Sequence, residues 1–246
     1  MTVTSAAERR LLGRLTLPWP TRAETTVPDV PARIAPWTVV VSGVMPVLLT
    51  TGWLVAGTVQ PASYSPMRQT VSVLSGYGGT DRWIVTAALY TVGVAYFVTA
   101  AGMRGVGAAA RIGLLVAGAA AVGVAFFPEP AHGTSREHAV CTAVGALTIA
   151  AWPALAARRE SVLAVVGVRR SLVAIVVSIG LLVWTAVETR NGPLLGLAER
   201  VSSGVQVTWP FVVALILLRT QSDPADESAQ LSVEAHGTRS VAHQSG

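Results

Sequence analysis

Six apolar stretches, separated by short polar segments, constrain this chain more than any other feature. Most of them approach the roughly 20 residues that an α-helix needs to cross a bilayer. Because lipid offers no water to satisfy open backbone groups, we predict an all-α, polytopic membrane protein with six transmembrane helices. The predicted spans cover residues 37–59, 83–103, 112–127, 138–157, 171–187 and 201–218.

The charge content agrees with a surface that faces lipid. Only 13% of the 246 residues are charged, whereas soluble domains carry roughly 25%. The basic residues form no continuous stripe with interleaved aromatic side chains, so nucleic acid is not a predicted partner. The single cysteine, Cys141, excludes an intramolecular disulfide. Membrane lipids are the predicted surroundings of the chain.

The arginines predict the orientation. Thirteen of the 18 fall on the side of the membrane that holds both termini and the loops after spans two and four. Because basic residues accumulate on the cytoplasmic side, we expect a plasma-membrane protein with both termini in the cytoplasm. The membrane domain would cover 37–219, between an N-terminal tail (1–36), either interfacial helix or irregular, and a disordered C-terminal tail (220–246). The outer loops contain the remaining arginines, Arg68, Arg82, Arg136, Arg190 and Arg200.

The first outer loop, residues 60–83, is long and patterned. In "MRQTVSVLS" the apolar residues Met67, Val71 and Leu74 recur at helical spacing. This predicts a short amphipathic helix with its apolar side on the bundle. Its polar side either faces the other outer loops as part of a site or merely covers the bundle. That side contains Arg68, Ser72 and Ser75.

The second outer loop, "FFPEPAHGTSREHAV", leads into span four. Thr134 or Ser135 is expected to cap the helix, and His138 lies at its start, where an imidazole can titrate near neutral pH. His138 is interpreted as a structural residue or as one that contacts a ligand or handles protons. Together with His132, Glu137 and Cys141 it matches no known metal signature, so no metal or cofactor is predicted.

The third outer loop places Glu188 at the end of span five and Glu199 and Arg200 at the start of span six. A carboxylate this close to the hydrocarbon needs a partner, and Arg190, Arg200 or Arg68 is expected to pair with Glu188. Five acidic residues and five arginines on this side predict a charge-paired outer face. The candidate ligand-binding residues are Tyr64, Arg68, Ser72, Asp81, His132, His138, Glu188, Glu199 and Arg200.

Three segments resemble the domain of unknown function 998 family of small multi-spanning prokaryotic membrane proteins. They are "YSPMRQTVSVLSGYGG", "FFPEPAHGTSREHAV" and "GLAERVSSGVQVTWPFV". The resemblance covers the whole membrane part of the chain and implies a bacterial or archaeal membrane protein, but no reaction. It marks as recurrent family positions Tyr64, Pro66, Ser72, Leu74, Pro128, His138, Glu199 and Arg200.

Three functions are compatible with these observations. The first is binding of a lipid, a small amphiphile or a partner subunit at the polar outer face. The second is a membrane-embedded enzyme for a lipid-borne group, with His138 as acid/base, Glu188 or Glu137 as its partner, and Ser72 or Tyr64 facing the substrate. The third is a transporter, which is disfavoured because no predicted span has a charge near its middle.

Overall fold

The computed structural model describes residues 34–221, which contain helices and loops but no β-strand. The predictions for residues 1–33 and 222–246 lie outside this part of the chain. A single 3₁₀ turn, Arg104–Val106, follows the third helix. The α-helices are α1 (Trp37–Thr58), α2 (Val71–Ser75), α3 (Trp83–Gly102), α4 (Ala108–Phe126), α5 (Arg136–Ala157), α6 (Glu160–Val166), α7 (Val168–Glu188) and α8 (Leu195–Gln221).

Six of these helices, α1, α3, α4, α5, α7 and α8, are long and apolar enough to cross a membrane. Their outward surfaces retain large apolar side chains such as Val40, Leu147 and Val176, which are 60% or more exposed. Side chains of this kind are stable in contact with acyl chains and unfavourable in contact with water. The chain is therefore a multi-pass membrane protein, and the predicted six-helix fold is confirmed.

Consecutive spanning helices pack side by side from α1 to α5, and α8 returns to contact α1. The closest approach lies between α3 and α4. A methyl group added to Gly93 would lie 2.9 Å from the carbonyl oxygen of Gly118, and one added to Gly118 would lie 2.8 Å from that of Gly93. Small residues thus let the two backbones touch.

Four spans, α4, α5, α7 and α8, begin earlier than predicted, and glycine sets the starts of α4 and α7. Gly107 and Gly167 have φ angles of 87° and 88° and directly precede α4 and α7. This left-handed conformation is readily accessible only to glycine, so each helix starts at the next residue. Arg111, Arg169 and Arg170 consequently belong to helices rather than to loops.

Helix α7 is the least buried of the spanning helices. Only Ser171 and Ser178 are buried along its 21 residues, although it packs against α5 and α8. The short helix α6, which was not predicted, lies before it and buries Val162 and Val166. The loose packing of α7 leaves space beside α5, and this space forms part of the site.

Candidate functional site

Three loops meet at the end of the bundle that carries α2, called here the α2 end. The Tyr77 N–H donates to the Glu129 carbonyl at 2.8 Å, which joins the α1–α3 loop to the α4–α5 loop. The Leu197 N–H donates to the Met67 carbonyl at 3.1 Å, which joins the first turn of α8 to the same α1–α3 loop. Residues from all three loops can therefore contribute to one site.

Helix α2 is shorter than predicted and begins at Val71. The preceding residues form a turn in which the Ser65 carbonyl accepts the N–H groups of both Arg68 and Gln69. A helix through this segment would need the Pro66 and Gln69 carbonyls for its own ladder. Both instead accept hydrogen bonds from Arg200 at 2.8 Å. Met67 is consequently exposed rather than part of the apolar stripe.

Arg200 holds the α1–α3 loop through neutral oxygens rather than through an ion pair. Besides the two loop carbonyls, it donates to the Gly196 carbonyl at 2.8 Å and to the Tyr64 hydroxyl. Burial raises the pKa of Tyr64 although the neighbouring Arg200 opposes the shift. The phenol therefore stays protonated at neutral pH and accepts the arginine N–H as an uncharged oxygen.

Glu199, the residue before Arg200, accepts a hydrogen bond from a backbone N–H of the same loop. Its Oε2 accepts the Val71 N–H at 2.8 Å, at the start of α2. The first N–H groups of a helix have no partner within the helix, and a carboxylate there also suits the helix dipole. Glu199 thus fixes the position of α2 and of Ser72, whose Oγ lies 3.5 Å from Glu199 Oε1.

Ser72 and His138 form a side-chain hydrogen bond at the α2 end. Ser72 Oγ lies 2.9 Å from His138 Nε2, and His138 Nδ1 lies 2.8 Å from the Phe127 carbonyl oxygen. A carbonyl can only accept, so Nδ1 carries the proton and the Nε2 of the neutral ring accepts from the Ser72 hydroxyl. The imidazole is 2% exposed, and its tautomer is set by the backbone.

The start of α5 fixes His138 from two further directions. Ser135 Oγ accepts the His138 N–H at 3.2 Å, which confirms the predicted helix cap. Glu129 Oε2 accepts the Ser135 N–H at 2.8 Å, and its Oε1 lies 4.0 Å from His138 Nε2. A negative charge at this distance would stabilise a protonated imidazole.

Neither predicted partner of His138, Glu188 or Glu137, contacts its imidazole in the described structure. Glu188 instead stabilises its own loop, where its carboxylate accepts from the Leu194 N–H at 2.9 Å and from Trp184 Nε1 at 3.3 Å. Among the described residues at the α2 end, Glu129 and His138 are the only carboxylate and basic side chain that lie within 4.0 Å of each other. The expected charge-paired face is therefore not observed, because the carboxylates cap N–H groups and Arg200 caps carbonyls.

Three other candidates lie at the periphery. Arg68 and His132 are exposed, and neither makes a side-chain hydrogen bond in the described part of the chain. Asp81 has a φ of 48° and accepts a 3.3 Å hydrogen bond from Trp83 Nε1. The structure brings together the other predicted residues, apart from Glu188: Tyr64, Ser72, His138, Glu199 and Arg200.

A groove of about 1310 Å³ begins at this cluster and runs along the bundle between α5 and α7. Ser72, Glu129, His138 and Glu199 line its polar end. Its walls are apolar, with alanine and leucine side chains from α5 and isoleucine, leucine and valine from α7. The apolar wall includes Ala143, Leu147, Ala150, Ile179, Leu182 and Val183.

A smaller cavity of about 150 Å³ lies inside the bundle beneath α2. Ser72, Thr142, Ala146 and Glu199 line both spaces and so form the boundary between them. Thr142 is exposed to the groove, and within the described residues its hydroxyl has no hydrogen-bond partner.

Sequence reasoning did not select Thr142 or Glu129 as candidates. The position of Thr142, four residues after His138 and hence on the same face of α5, was the available signal. Glu129 carried no such signal, because its place depends on how the α4–α5 loop folds.

The described residues include no group of three or more His, Cys, Asp or Glu side chains placed to hold a metal ion. Ser72, Thr142 and His138 offer hydrogen bonding and proton transfer at the site. Two carboxylates, Glu129 and Glu199, adjoin these groups.

The fold and site define the class as a six-helix membrane protein with a polar cluster at one end of an apolar groove. The chain belongs to the family described as protein of unknown function, DUF998, which it matches over residues 35–216. The family resemblance predicted from the loop segments is thus confirmed. Comparison with curated proteins gave no match, and neither did comparison with solved structures.

Proposed function

We propose that this protein binds a single-chain or double-chain amphiphile in the groove between α5 and α7. The observation that carries the proposal is the groove itself, about 1310 Å³ with a polar cluster at one end and apolar walls along its length. Ligand sites combine an apolar lining with a few convergent polar groups in this way. The ligand's hydrocarbon chain would lie against α5 and α7, with its head group at Ser72 and His138.

The polar end favours a head group with hydrogen-bond donors. Glu129 and Glu199 contribute carboxylates, and no arginine lines the described groove. A bare phosphate would meet two carboxyl groups there without a guanidinium to bind it. A hydroxyl-bearing or amine-bearing head group would donate to the carboxylates and accept from the free Thr142 hydroxyl.

The arginine distribution supports an orientation in which the α2 end faces the outside of a prokaryotic plasma membrane. The tails, loops and helix ends that the sequence assigns to the opposite side hold thirteen of the 18 arginines, which is the pattern of a cytoplasmic face. A groove that opens sideways toward lipid would then admit its ligand from the outer leaflet.

The test is occupancy of the groove by a photoreactive amphiphile in nanodiscs, with cross-linked peptides identified by mass spectrometry. We expect cross-links on α5 and α7 within the groove, and competition by the lipid that copurifies with the protein. Ala143→Trp should block the groove, whereas Val144→Trp, on the neighbouring position that does not line it, should not. Equal cross-linking of both variants would refute the proposal.

A second candidate, a membrane-embedded enzyme with His138 as acid/base, is favoured by one specific observation. The Ser72 hydroxyl lies 2.9 Å from His138 Nε2, and the other ring nitrogen, Nδ1, is hydrogen-bonded to the Phe127 carbonyl. No comparable observation favours transport or a partner subunit.

A further inference from the structure

The Ser72–His138 pair has the arrangement of a nucleophile and its general base. Such pairs are recognised by a hydrogen bond from the hydroxyl to the base and by a third group that orients the base. Here the hydroxyl-to-ring distance is 2.9 Å, and the Phe127 carbonyl at 2.8 Å is the orienting group. The residues come from α2 and α5, 66 positions apart, so the pairing is a product of the tertiary fold.

The competing acceptor for the Ser72 proton is Glu199. Its Oε1 lies 3.5 Å from Ser72 Oγ, against 2.9 Å for His138 Nε2. Hydrogen bonds between oxygen atoms are strongest near 2.7–2.8 Å and weaken beyond about 3 Å. The hydroxyl proton is therefore directed to the imidazole, and Glu199 acts through its bond to Val71 as a positioning residue for α2.

Ser72 Oγ also has access to a ligand. Ser72 and His138 both line the polar end of the groove, whose apolar walls continue along α5 and α7. The carboxylic ester of an acyl chain lies between that chain and its head group. An amphiphile with its chain on the apolar walls thus places the ester carbonyl near the polar cluster.

We propose that Ser72 is the nucleophile, and His138 the general base, of an acyl-transfer reaction on a carboxylic ester of an amphiphile bound in the groove. This inference rests on the proposed amphiphile binding. It adds the reaction class, the bond that is broken and the catalytic residues.

The reaction proceeds in two balanced steps. Ser72 Oγ attacks the ester carbonyl carbon while His138 Nε2 takes the hydroxyl proton, and the C–O bond to the head-group alcohol then breaks as Nε2 returns that proton to the leaving oxygen. Water next attacks the acylated Ser72, giving its proton to Nε2. The bond to Ser72 Oγ breaks, the carboxylic acid leaves, and Nε2 restores the proton to Ser72.

Glu129 supports the charged stage of both steps. When Nε2 holds the transferred proton the imidazole is a cation, and Glu129 Oε1 lies 4.0 Å away. A carboxylate at this distance lowers the free energy of the cationic ring. Thr142, four residues along the same helix, can donate its unpartnered hydroxyl to the substrate carbonyl.

A long-chain alkyl fluorophosphonate, which reacts with activated serine hydroxyls, tests this inference in nanodiscs. We expect one adduct on the wild-type chain, mapped by peptide mass spectrometry to Ser72 and absent from Ser72→Ala. His138→Gln should slow the labelling by about 100-fold or more, the usual contribution of a general base. Ser203→Ala, which changes a serine of the inner cavity away from the groove, is the matched control and should label at the wild-type rate.

The outcomes separate this inference from the proposed binding. A wild-type chain that cross-links the photoreactive amphiphile in its groove but forms no adduct at Ser72 overturns the acyl-transfer reaction and leaves the binding intact. An adduct at Ser72 without groove cross-linking would show that Ser72 is an activated serine, but it would overturn the binding in the groove and with it the proposed ester substrate. Labelling of His138→Gln at the wild-type rate would show that His138 is not the base. Mapping of the wild-type adduct needs no variant, so it decides the nucleophile even where a substitution prevents folding.

Discussion

Glu199 Oε2 accepts the backbone N–H of Val71 at 2.8 Å, although the two residues are 128 positions apart in the chain. The next residue, Arg200, donates to the Pro66 and Gln69 carbonyls at 2.8 Å. Two consecutive side chains of α8 therefore satisfy backbone donors and acceptors of the same loop. This explains how an irregular segment is held rigidly at the end of a membrane bundle.

Removal of the Glu199 carboxylate should loosen α2. We expect Glu199→Ala to lower the free energy of unfolding by about 1–3 kcal/mol, because the Val71 N–H is left without its acceptor. Thermal unfolding in detergent or nanodiscs measures the loss. Glu137→Ala is the control, since within residues 34–221 its carboxylate accepts only from the Ser135 hydroxyl, at 3.1 Å. Equal losses in the two variants would contradict the assigned role of Glu199.

Replacement of Arg200 by lysine should also destabilise the loop, although the charge is kept. A lysine ammonium cannot reproduce the planar guanidinium, which donates to three carbonyls and to the Tyr64 hydroxyl. We expect faster hydrogen–deuterium exchange across residues 60–75 and a loss of about 1–3 kcal/mol in stability. Arg68 is exposed, so Arg68→Lys is the control and should leave the exchange rate and the stability unchanged.

Gly196→Ala tests the contact between α8 and the α1–α3 loop. A methyl group at Gly196 would overlap the carbonyl oxygens of Gln69 and Pro66, and backbone atoms cannot rotate away as a side chain can. We expect a loss of about 1–3 kcal/mol in the free energy of unfolding. In Gly204→Ala, on the same helix, the methyl group would be 3.8 Å from Trp53, and stability should be retained. A stable Gly196→Ala variant would mean that this contact is looser than described.

Thr142→Val separates ligand binding from folding. The substitution keeps the shape of the side chain and removes a hydroxyl that has no hydrogen-bond partner in the described structure, so thermal stability should not fall. Amphiphile affinity in nanodiscs should fall by roughly 2- to 12-fold, which corresponds to the loss of one hydrogen bond of about 0.5–1.5 kcal/mol. Unchanged affinity would remove Thr142 from the proposed site.

The orientation can be measured with single cysteines in a Cys141→Ala background. Arg68→Cys lies at the α2 end and Arg104→Cys at the opposite end, and both arginines are exposed. A membrane-impermeant maleimide applied to intact cells should label the cysteine at position 68 and spare the one at position 104. The opposite result would invert the proposed topology.

The six spans were predictable because the pattern that specifies them is local. A membrane helix satisfies its own backbone and needs only enough consecutive apolar residues, and the first span was predicted to begin at Trp37, as α1 does. The cap at Ser135 was predictable for the same reason, since its acceptor and donor lie three residues apart.

The start of α2 could not be predicted from the neighbouring sequence. Apolar spacing predicted that the helix would include Met67, but Arg200, more than 130 positions away, takes the carbonyls that this longer helix would have used. Likewise Glu188, at a span end, was expected to pair with an arginine and was one of two predicted partners of His138. The nearest N–H donor to Glu188 is in its own loop. That donor binds the Glu188 carboxylate, whereas the His138 imidazole is too distant to do so.

The sequence by itself determined the helix-forming segments, the membrane-spanning class and the residue types available at one end of the bundle. Those properties depend on hydrophobicity and helical period, which act over a few residues. Only the tertiary structure decided that Ser72 meets His138 rather than open solvent, and that Glu199 and Arg200 hold the loop that presents Ser72. Hydrogen-bond partners are selected by distances of about 3 Å, and those distances exist only after the helices have packed.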